Sequence, residues 1–249
     1  MYNLQFKNTL SFNNSPSVIC SDPQYNNGLI TKYNPYSPGL VFWLDGLFHD
    51  WELNGWESPL VNSSVFNVVD STNNESGVFY DGKCWHINNA STSDKNSLQN
   101  TVTLTFPWQS CTIECTYECT KTSAQNIFVP KGSGNICFGF SGNSQYRFII
   151  SNTSGQSQFD SQGASNRGLH TASINVNGGI MDAEYAITNY AGANYLSNTG
   201  TYNGIGATAS TNYGFTGKIY AIRVYNRLLS TDEMIHNQET DIKRFGLNI

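Results

Sequence analysis

Two glutamates on one predicted strand are the residues of this sequence best placed for hydrolytic chemistry. Glu114 and Glu118 lie on the same side of residues 111–120, CTIECTYECT, in which apolar and polar residues alternate. Four residues of extended chain separate the two carboxylates by about 13 Å. Glycosidases hold their two carboxyl groups about 5–5.5 Å apart when they retain the anomeric configuration, and about 6.5–9.5 Å apart when they invert it. The spacing therefore disfavours a glycosidase active site on this strand.

Other residue types that support catalysis are scattered along the chain. The four histidines, which are His49, His86, His170 and His236, form no H-E-x-x-H metal motif. The chain also lacks the G-x-S-x-G motif of α/β-hydrolases and the glycine-rich phosphate loop of nucleotide-binding enzymes. The sequence thus predicts a protein that is not an enzyme.

Aromatic residues beside neutral polar ones predict a binding site instead. Trp51, Asn54 and Trp56 lie together around a predicted Asn-Gly turn, and Tyr190 and Tyr195 lie in a second loop. A sugar presents apolar C–H faces and hydroxyl groups, so its sites combine an aromatic ring with hydrogen-bonding side chains. These five residues are predicted to bind the glycan. The alternative is that both tryptophans pack against the end of the fold.

Three of the six cysteines are predicted to be reduced core residues. Cys111, Cys115 and Cys119 share one face of a strand at intervals of about 13 Å, which is too far for them to bridge one another or to bind one zinc ion. They are interpreted as small buried hydrophobic residues, with a disulfide to another strand as the alternative. Reduced core thiols are typical of a protein that folds in a cytosol.

Charge and hydropathy exclude several classes of function. The net charge of −5 and the absence of a basic stripe argue against nucleic-acid binding. The N-terminal residues carry no positive region before an apolar one, and no apolar run approaches 18 residues, so we predict neither a signal peptide nor membrane insertion. Charged residues make up only 12% of the chain, which is typical of extracellular β-proteins and virion proteins but also follows from a biased genome composition.

The pattern of apolar residues predicts many short strands between Gly, Asn and Ser clusters. Residues 89–100 and 189–203 are polar and are predicted to be loops, and Gly179 belongs to a predicted turn before a strand at 183–188. The other predicted strands cover residues 40–44, 64–69, 77–80, 84–88, 101–106, 111–120, 126–129, 136–140, 146–151, 156–159 and 170–176.

A strand followed directly by a helix closes this pattern. Residues 218–226 are rich in Ile, Val and Tyr, which indicates a strand covered by neighbours, and a change in apolar parity predicts a β-bulge within it. Ser230 and Glu233 have the spacing of a capping box, and Leu229 and Met234 that of a hydrophobic staple.

This closing stretch, F-T-G-K-I-Y-A-I-R-V-Y-N-R-L-L-S-T-D-E, resembles the last strand and helix of laminin-G-like domains in the concanavalin A-like lectin/glucanase superfamily. Residues 39–45, 78–82 and 111–115 resemble the family's opening strand, its F-D-G turn and its T-I-E strand, in matching order. The resemblance implies an all-β fold, a two-sheet antiparallel jelly-roll sandwich with a short C-terminal helix, over residues 39–249. Laminin-G-like domains often bind calcium through an Asp and loop carbonyls; no Asp here matches that pattern, and calcium binding stays open.

Residues 1–38 differ from the rest because they hold four of the seven prolines. They are predicted to form an extended arm that packs on its own sandwich or docks on a virion subunit or a second copy of the chain. The predicted function is a non-enzymatic interaction module, a bacteriophage capsid-decoration or tail protein that attaches through this arm and displays the sandwich to a cell-surface glycan. It would fold in a host cytoplasm and act on the virion or outside the cell. A soluble carbohydrate-binding lectin is the alternative, followed by a glycosidase.

Overall fold

A computed structural model gives the arrangement of the chain. It describes residues 38–48, 55–58, 60, 65–69, 77–91, 94–100, 111–121, 125–129, 136–140, 146–152, 155–160, 168–175, 179–182, 203–207 and 214–248. Within these ranges, no helix has both the length and the apolar character that a bilayer span requires. The predicted strands at 101–106 and 183–188 and the arm at 1–38, apart from Pro38, lie outside the described residues, as do residues 189–202 of the predicted loop.

The described elements are strands and one helix, numbered here in chain order. They are β1 Leu40–Asp45, β2 Gly55–Glu57, β3 Val65–Val69, β4 Val78–Tyr80, β5 Trp85–Ile87, β6 Ser97–Asn100, β7 Thr112–Cys119, β8 Gln125–Val129, β9 Ile136–Phe140, β10 Tyr146–Asn152, β11 Gly155–Asp160, β12 Gly168–Asn175, β13 Gly179–Asp182, β14 Asn203–Ile205, β15 Gly217–Tyr225 and α1 Thr231–Phe245. A short 3-10 turn, Gly46–Phe48, follows β1.

The strands form two sheets whose ladders are antiparallel. The first sheet has the order β13-β12-β7-β15-β5-β4, and β1 pairs with β15 beside it. The second sheet has the order β11-β10-β9-β8-β14-β6-β3-β2. This confirms the prediction of an all-β chain with two antiparallel sheets and a C-terminal helix, while the finer jelly-roll connectivity stays a prediction.

The hydrophobic core lies between the two sheets. Phe42 of the first sheet stacks on Phe128 of the second at 5.6 Å between ring centroids and meets the edge of Phe66 at 5.9 Å. The odd-numbered residues of β7 point into the same cluster, so Cys115 and Cys119 are buried there with Cys111 just before the strand. All three thiols are free, which confirms the prediction of reduced core cysteines for them, and Cys84 is also free.

Strand β15 is the most extensively paired strand of the first sheet. One edge pairs with β7 along its length, and the other pairs first with β5 and then with β1. The register shifts between Ile219 and Ala221, which confirms the predicted bulge. The bulge lets Ile219 and Ile222, three residues apart, both face the core, because it adds one residue to this strand between them.

Helix α1 begins and ends with the predicted local chemistry. The side chain of Ser230 accepts from the backbone N–H of Glu233, and the Glu233 carboxylate accepts from the N–H of Ser230, which completes the capping box. Leu229 and Met234 share one buried cluster, as the staple predicts. Gly246 ends the helix in the left-handed conformation, with φ 60°. At 15 residues the helix is longer than the short one predicted.

Three segments differ from the sequence prediction. Ser97–Asn100, predicted as loop, forms β6 because β3 and β14 supply hydrogen-bonding partners on both sides. Asn203–Ile205 forms β14 between β6 and β8, although residues 189–203 were expected to be a loop. Gly179, expected in a turn, begins β13 and pairs with Asn175. For β6 and β14, pairing with distant strands outweighs a weak local preference, whereas Gly179 pairs within a hairpin with the strand just before it.

Candidate functional site

Trp56 is a core residue and has no exposed ring face for a sugar, so the prediction that it binds glycan is wrong. Its side chain is 0% exposed, its Nε1 donates to the carbonyl oxygen of Asp45 at 3.1 Å, and its ring lies 6.3 Å from that of Trp85. The preceding Gly55 is in β2 and not in a turn, and the position requires glycine because a Cβ there would stand 2.3 Å from the carbonyl oxygen of Phe66. For Trp56 the packing alternative holds.

The other four residues predicted to bind glycan are Trp51, Asn54, Tyr190 and Tyr195. They lie outside the described residues, so the structure neither brings them together nor separates them. Their role in glycan binding stays a prediction.

Glu114 is held in a buried ion network beneath α1. Arg223 of β15 donates through Nε to Glu114 at 2.9 Å and through both terminal nitrogens to Asp241 of the helix, at 2.8 and 2.6 Å. Asn237 also donates to Glu114, at 2.9 Å. Burial acts to lower the pKa of Arg223, but the carboxylates of Asp241 and Glu114 outweigh it and raise that pKa. These partners enclose the Glu114 carboxylate, and the side chain is only 2% exposed to solvent.

The network continues to the edge of β1. Arg244 of α1 lies 2.7 Å from Asp45 and 3.9 Å from Asp241. Burial raises the pKa of Asp45, and Arg244 opposes that shift without cancelling it. These charges join the helix to the outer face of the first sheet, and removing one partner of such a buried set is strongly destabilising.

Glu118 has a different environment, because the helix does not cover the end of β7 where it lies. It pairs with Lys218 of β15 at 2.7 Å, and both side chains are about one-third exposed, at 34% and 35%. The hydrogen bond to Glu118 raises the pKa of Lys218. The two glutamates of β7 therefore serve a core network and a surface pair, and neither is arranged opposite the other across a cleft.

A row of side chains crosses the end of the first sheet that helix α1 leaves open, and we name it the outer row: Phe79, His86, Lys218 and Glu118. Phe79 of β4 is opposite His86 of β5, His86 is opposite Lys218, and Lys218 is opposite Glu118. The Phe79 ring stacks on His86 at 4.3 Å between centroids with 14° between the planes. Phe79 is 42% exposed, so one aromatic surface is presented to solvent and held flat by the imidazole.

Asp81 extends the outer row into the turn between β4 and β5. Its Oδ1 accepts from the backbone N–H groups of Lys83 and Cys84, each at 2.9 Å, and its Oδ2 accepts from His86 Nε2 at 2.7 Å. Partial burial acts to raise the pKa of Asp81, but these hydrogen bonds, that of His86 first, lower it to about 2. Gly82 has φ 96°, which suits glycine and lets the turn direct the carboxylate toward the strand that follows.

Cys84 brings a thiol to the same turn. Its Sγ lies 3.4 and 3.5 Å from the two oxygens of Asp81, and the side chain is buried against Tyr220, Phe245 and Leu247. Burial raises the pKa of Cys84 to about 12, so the thiol stays protonated near neutral pH. A protonated buried thiol is a poor nucleophile, which argues against cysteine-based catalysis.

The turn combines three potential metal-ligating groups. One ligand atom from each of Asp81, Cys84 and His86 lies within 4.8 Å of the others. In the sequence, His86 is one of four dispersed histidines, and Asp81 with Gly82 predicts a hairpin turn. The available signal was D-G-K-C-W-H itself, because Cys84 and His86 lie two residues apart just after an aspartate turn.

Neither a protein-family model nor a curated protein sequence matches this chain. Among solved structures, Trypanosoma rangeli sialidase in complex with sialic acid aligns with a TM-score of 0.58 and 12% identity, over 92% of this chain and 38% of the sialidase. A mutant of that sialidase displaying trans-sialidase activity gives 0.51 and 13%, over 83% of this chain and 33% of the mutant. The CBM40 of Ruminococcus gnavus IT-sialidase bound to alpha2,3 sialyllactose gives 0.43 and 21%, over 52% and 82%.

The likeness to the two Trypanosoma rangeli chains concerns the fold alone, because identity is so low. This chain spans about 38% of the length of the first of them, so the likeness leaves most of that enzyme without a counterpart here. The outer row and its turn therefore have to be interpreted from their own chemistry.

Proposed function

We propose that this chain is a non-catalytic carbohydrate-binding module whose ligand surface includes the outer row. The observation that carries the proposal is the Phe79 ring, 42% exposed and held flat by His86. A flat aromatic ring that is fixed before binding offers a surface for the C–H face of a sugar with little loss of side-chain freedom.

Polar groups beside Phe79 supply the second half of a sugar site. His86 stacks on the ring, Asp81 accepts a hydrogen bond from His86, and Lys218 and Glu118 continue the row on the next two strands. Hydroxyl groups of a sugar both donate and accept hydrogen bonds, so a mixed set of carboxylates, imidazole and ammonium suits them. Lys218 also offers a cation for a sugar that carries a carboxylate, and the solved structure in complex with sialic acid makes sialylated glycans a first choice of probe.

The arrangement of the glutamates supports a binding module over a glycosidase. Glu114 is enclosed by Arg223 and Asn237, and Glu118 is paired with Lys218. Four strand residues place these carboxylates about 13 Å apart, beyond the separation of either glycosidase class. Hydrolysis of a bound glycan that is abolished in Glu114→Gln or Glu118→Gln would overturn the non-catalytic part of the proposal.

A glycan array followed by calorimetry tests the binding part. The array should include neutral oligosaccharides and sialylated glycans, and we expect a specific set of glycans to bind. Phe79→Ala should weaken that binding at least tenfold, whereas Phe79→Tyr should keep it. Ile235→Ala is the matched control, because Ile235 is equally exposed, at 42%, but lies on α1. An array without signal, or equal binding by Phe79→Ala, would overturn the proposal.

The place of the module in a larger assembly stays a finer proposal. The sequence predicts a virion component, active outside the cell, that attaches through residues 1–38, and its test is the deletion of that segment. A truncated protein that is still recovered in purified particles at normal stoichiometry would contradict the anchoring role. The soluble-lectin alternative predicts the same glycan binding without any particle association.

A further inference from the structure

The turn between β4 and β5 brings an oxygen, a sulfur and a nitrogen ligand together, and we propose that Asp81, Cys84 and His86 bind one transition-metal ion of the zinc type. The three ligand atoms lie within 4.8 Å of one another. Asp81 and His86 also border the proposed sugar site, but this proposal does not depend on glycan binding, because its test measures the metal alone.

The distances are close to those that a tetrahedral ion requires. Bonds of about 2.0 Å to oxygen and nitrogen and about 2.3 Å to sulfur place neighbouring ligand atoms roughly 3.3–3.6 Å apart. Cys84 Sγ already lies 3.4 and 3.5 Å from the oxygens of Asp81. Asp81 Oδ2 and His86 Nε2 are 2.7 Å apart, so their hydrogen bond must open by about 0.6 Å to admit the ion.

The backbone holds two of the ligands before any ion binds. The N–H groups of Lys83 and Cys84 fix the Asp81 carboxylate, and the N–H of Asp81 donates to the carbonyl oxygen of Cys84 at 3.2 Å. Cys84 immediately precedes β5 and His86 lies within it, and both side chains reach the Asp81 carboxylate. The ligand set is therefore positioned by a hairpin and needs only small side-chain movements.

The charge of the set matches a divalent ion. A carboxylate, a thiolate and a neutral imidazole carry two negative charges, and on binding the thiol proton of Cys84 passes to solvent. Lys218, the cation of the outer row next to His86, is paired with Glu118, which limits its repulsion of the ion. Asp81 is exposed and His86 is partly exposed, so an ion can enter from solvent and a fourth position stays open to water or a ligand.

Cobalt titration of the reduced, tag-free protein tests the site directly. We expect one Co²⁺ per chain, a thiolate-to-cobalt absorption band in the near ultraviolet, and displacement of Co²⁺ by Zn²⁺. His86→Gln should weaken binding at least tenfold, and Cys84→Ser should abolish the band. His236→Gln is the matched control, since His236 is exposed on α1, and it should bind as the wild type does.

His86→Gln keeps the test decisive if Cys84→Ser fails to fold, because His86 is only partly buried. Absence of the band in the wild type, or unchanged cobalt affinity in His86→Gln, would overturn the metal proposal. Because the readout is the metal alone, a protein that binds cobalt but no glycan would contradict the proposed function and leave this inference intact.

Discussion

Arg223 on β15 and Asp241 on α1 form a bidentate ion pair with both side chains almost fully buried, at 2% and 0% exposure. Thr116 of β7 donates to the same carboxylate, and Glu114 occupies the remaining edge of the guanidinium. The helix is thus joined to the two central strands of the first sheet by charge as well as by apolar packing.

Asp241→Asn should lower the free energy of unfolding by about 3 kcal/mol, because it leaves the buried Arg223 charge with a single carboxylate partner. The measurement is urea denaturation followed by tryptophan fluorescence. Glu239→Gln is the matched control, since Glu239 forms an exposed pair with Lys243 at 3.5 Å on the same helix, and its loss should change the free energy by less than about 0.5 kcal/mol. Equal effects of the two substitutions would show that the buried network contributes little.

Trp56→Ala should lower the free energy of unfolding by about 3–5 kcal/mol, because it leaves a cavity beside Trp85 in the core. Trp56→Phe should cost less and should leave glycan affinity unchanged in the folded protein. Trp51→Ala separates the two roles proposed for this stretch, since it is predicted to reduce glycan affinity. A folded Trp56→Phe protein with lost glycan affinity would contradict the assignment of Trp56 to the core.

Acid should destabilise the protein partly through Asp81. The folded pKa is about 2, below the ordinary value of 3.8, so between these values the unfolded chain binds more protons and stability falls as the pH falls. The stability that Asp81 contributes is present above about pH 4 and is lost toward pH 2. Its side chain is 35% exposed, so solvent screening keeps the contribution to about 1 kcal/mol.

Asp81→Asn tests this expectation through the free energy of unfolding measured at intervals from pH 5 to pH 2. The variant should lose less stability over that range than the wild type does. Parallel pH profiles for the two proteins would mean that Asp81 does not gain its hydrogen bonds on folding.

Features fixed by neighbouring residues could be predicted from the sequence. The alternation of β7, the bulge near Tyr220 and the cap at Ser230 each depend on side chains a few residues apart. Each pattern can be recognised from nearby residues, because a strand repeats every two residues and a cap pairs residues three apart.

Features that depend on distant partners could not be predicted in this way. The even face of β7, with Thr112, Glu114 and Thr116, has the composition of a solvent face, but it is buried because α1 covers it. Similarly, the polar residues of β6 form a strand because β3 and β14 lie on either side. No local pattern specifies which surface a helix more than 100 residues away will cover.

The outer row could not be predicted from the sequence, because it also depends on distant partners. Phe79, His86, Lys218 and Glu118 come from four strands, and only their register places them side by side. The aromatic loop residues Trp51 and Trp56 were the stronger local signal, and the structure places Trp56 in the core.

The position of β15 in the chain has a consequence for biosynthesis. This strand separates β7 from both β1 and β5, yet it begins only at Gly217. As the polypeptide leaves the ribosome, β1, β5 and β7 therefore lack their common neighbour until β15 follows them. Until Tyr225 has emerged, those strands have free edges open to self-association, so chaperone protection during synthesis matters more here than in a fold whose central strand is made early.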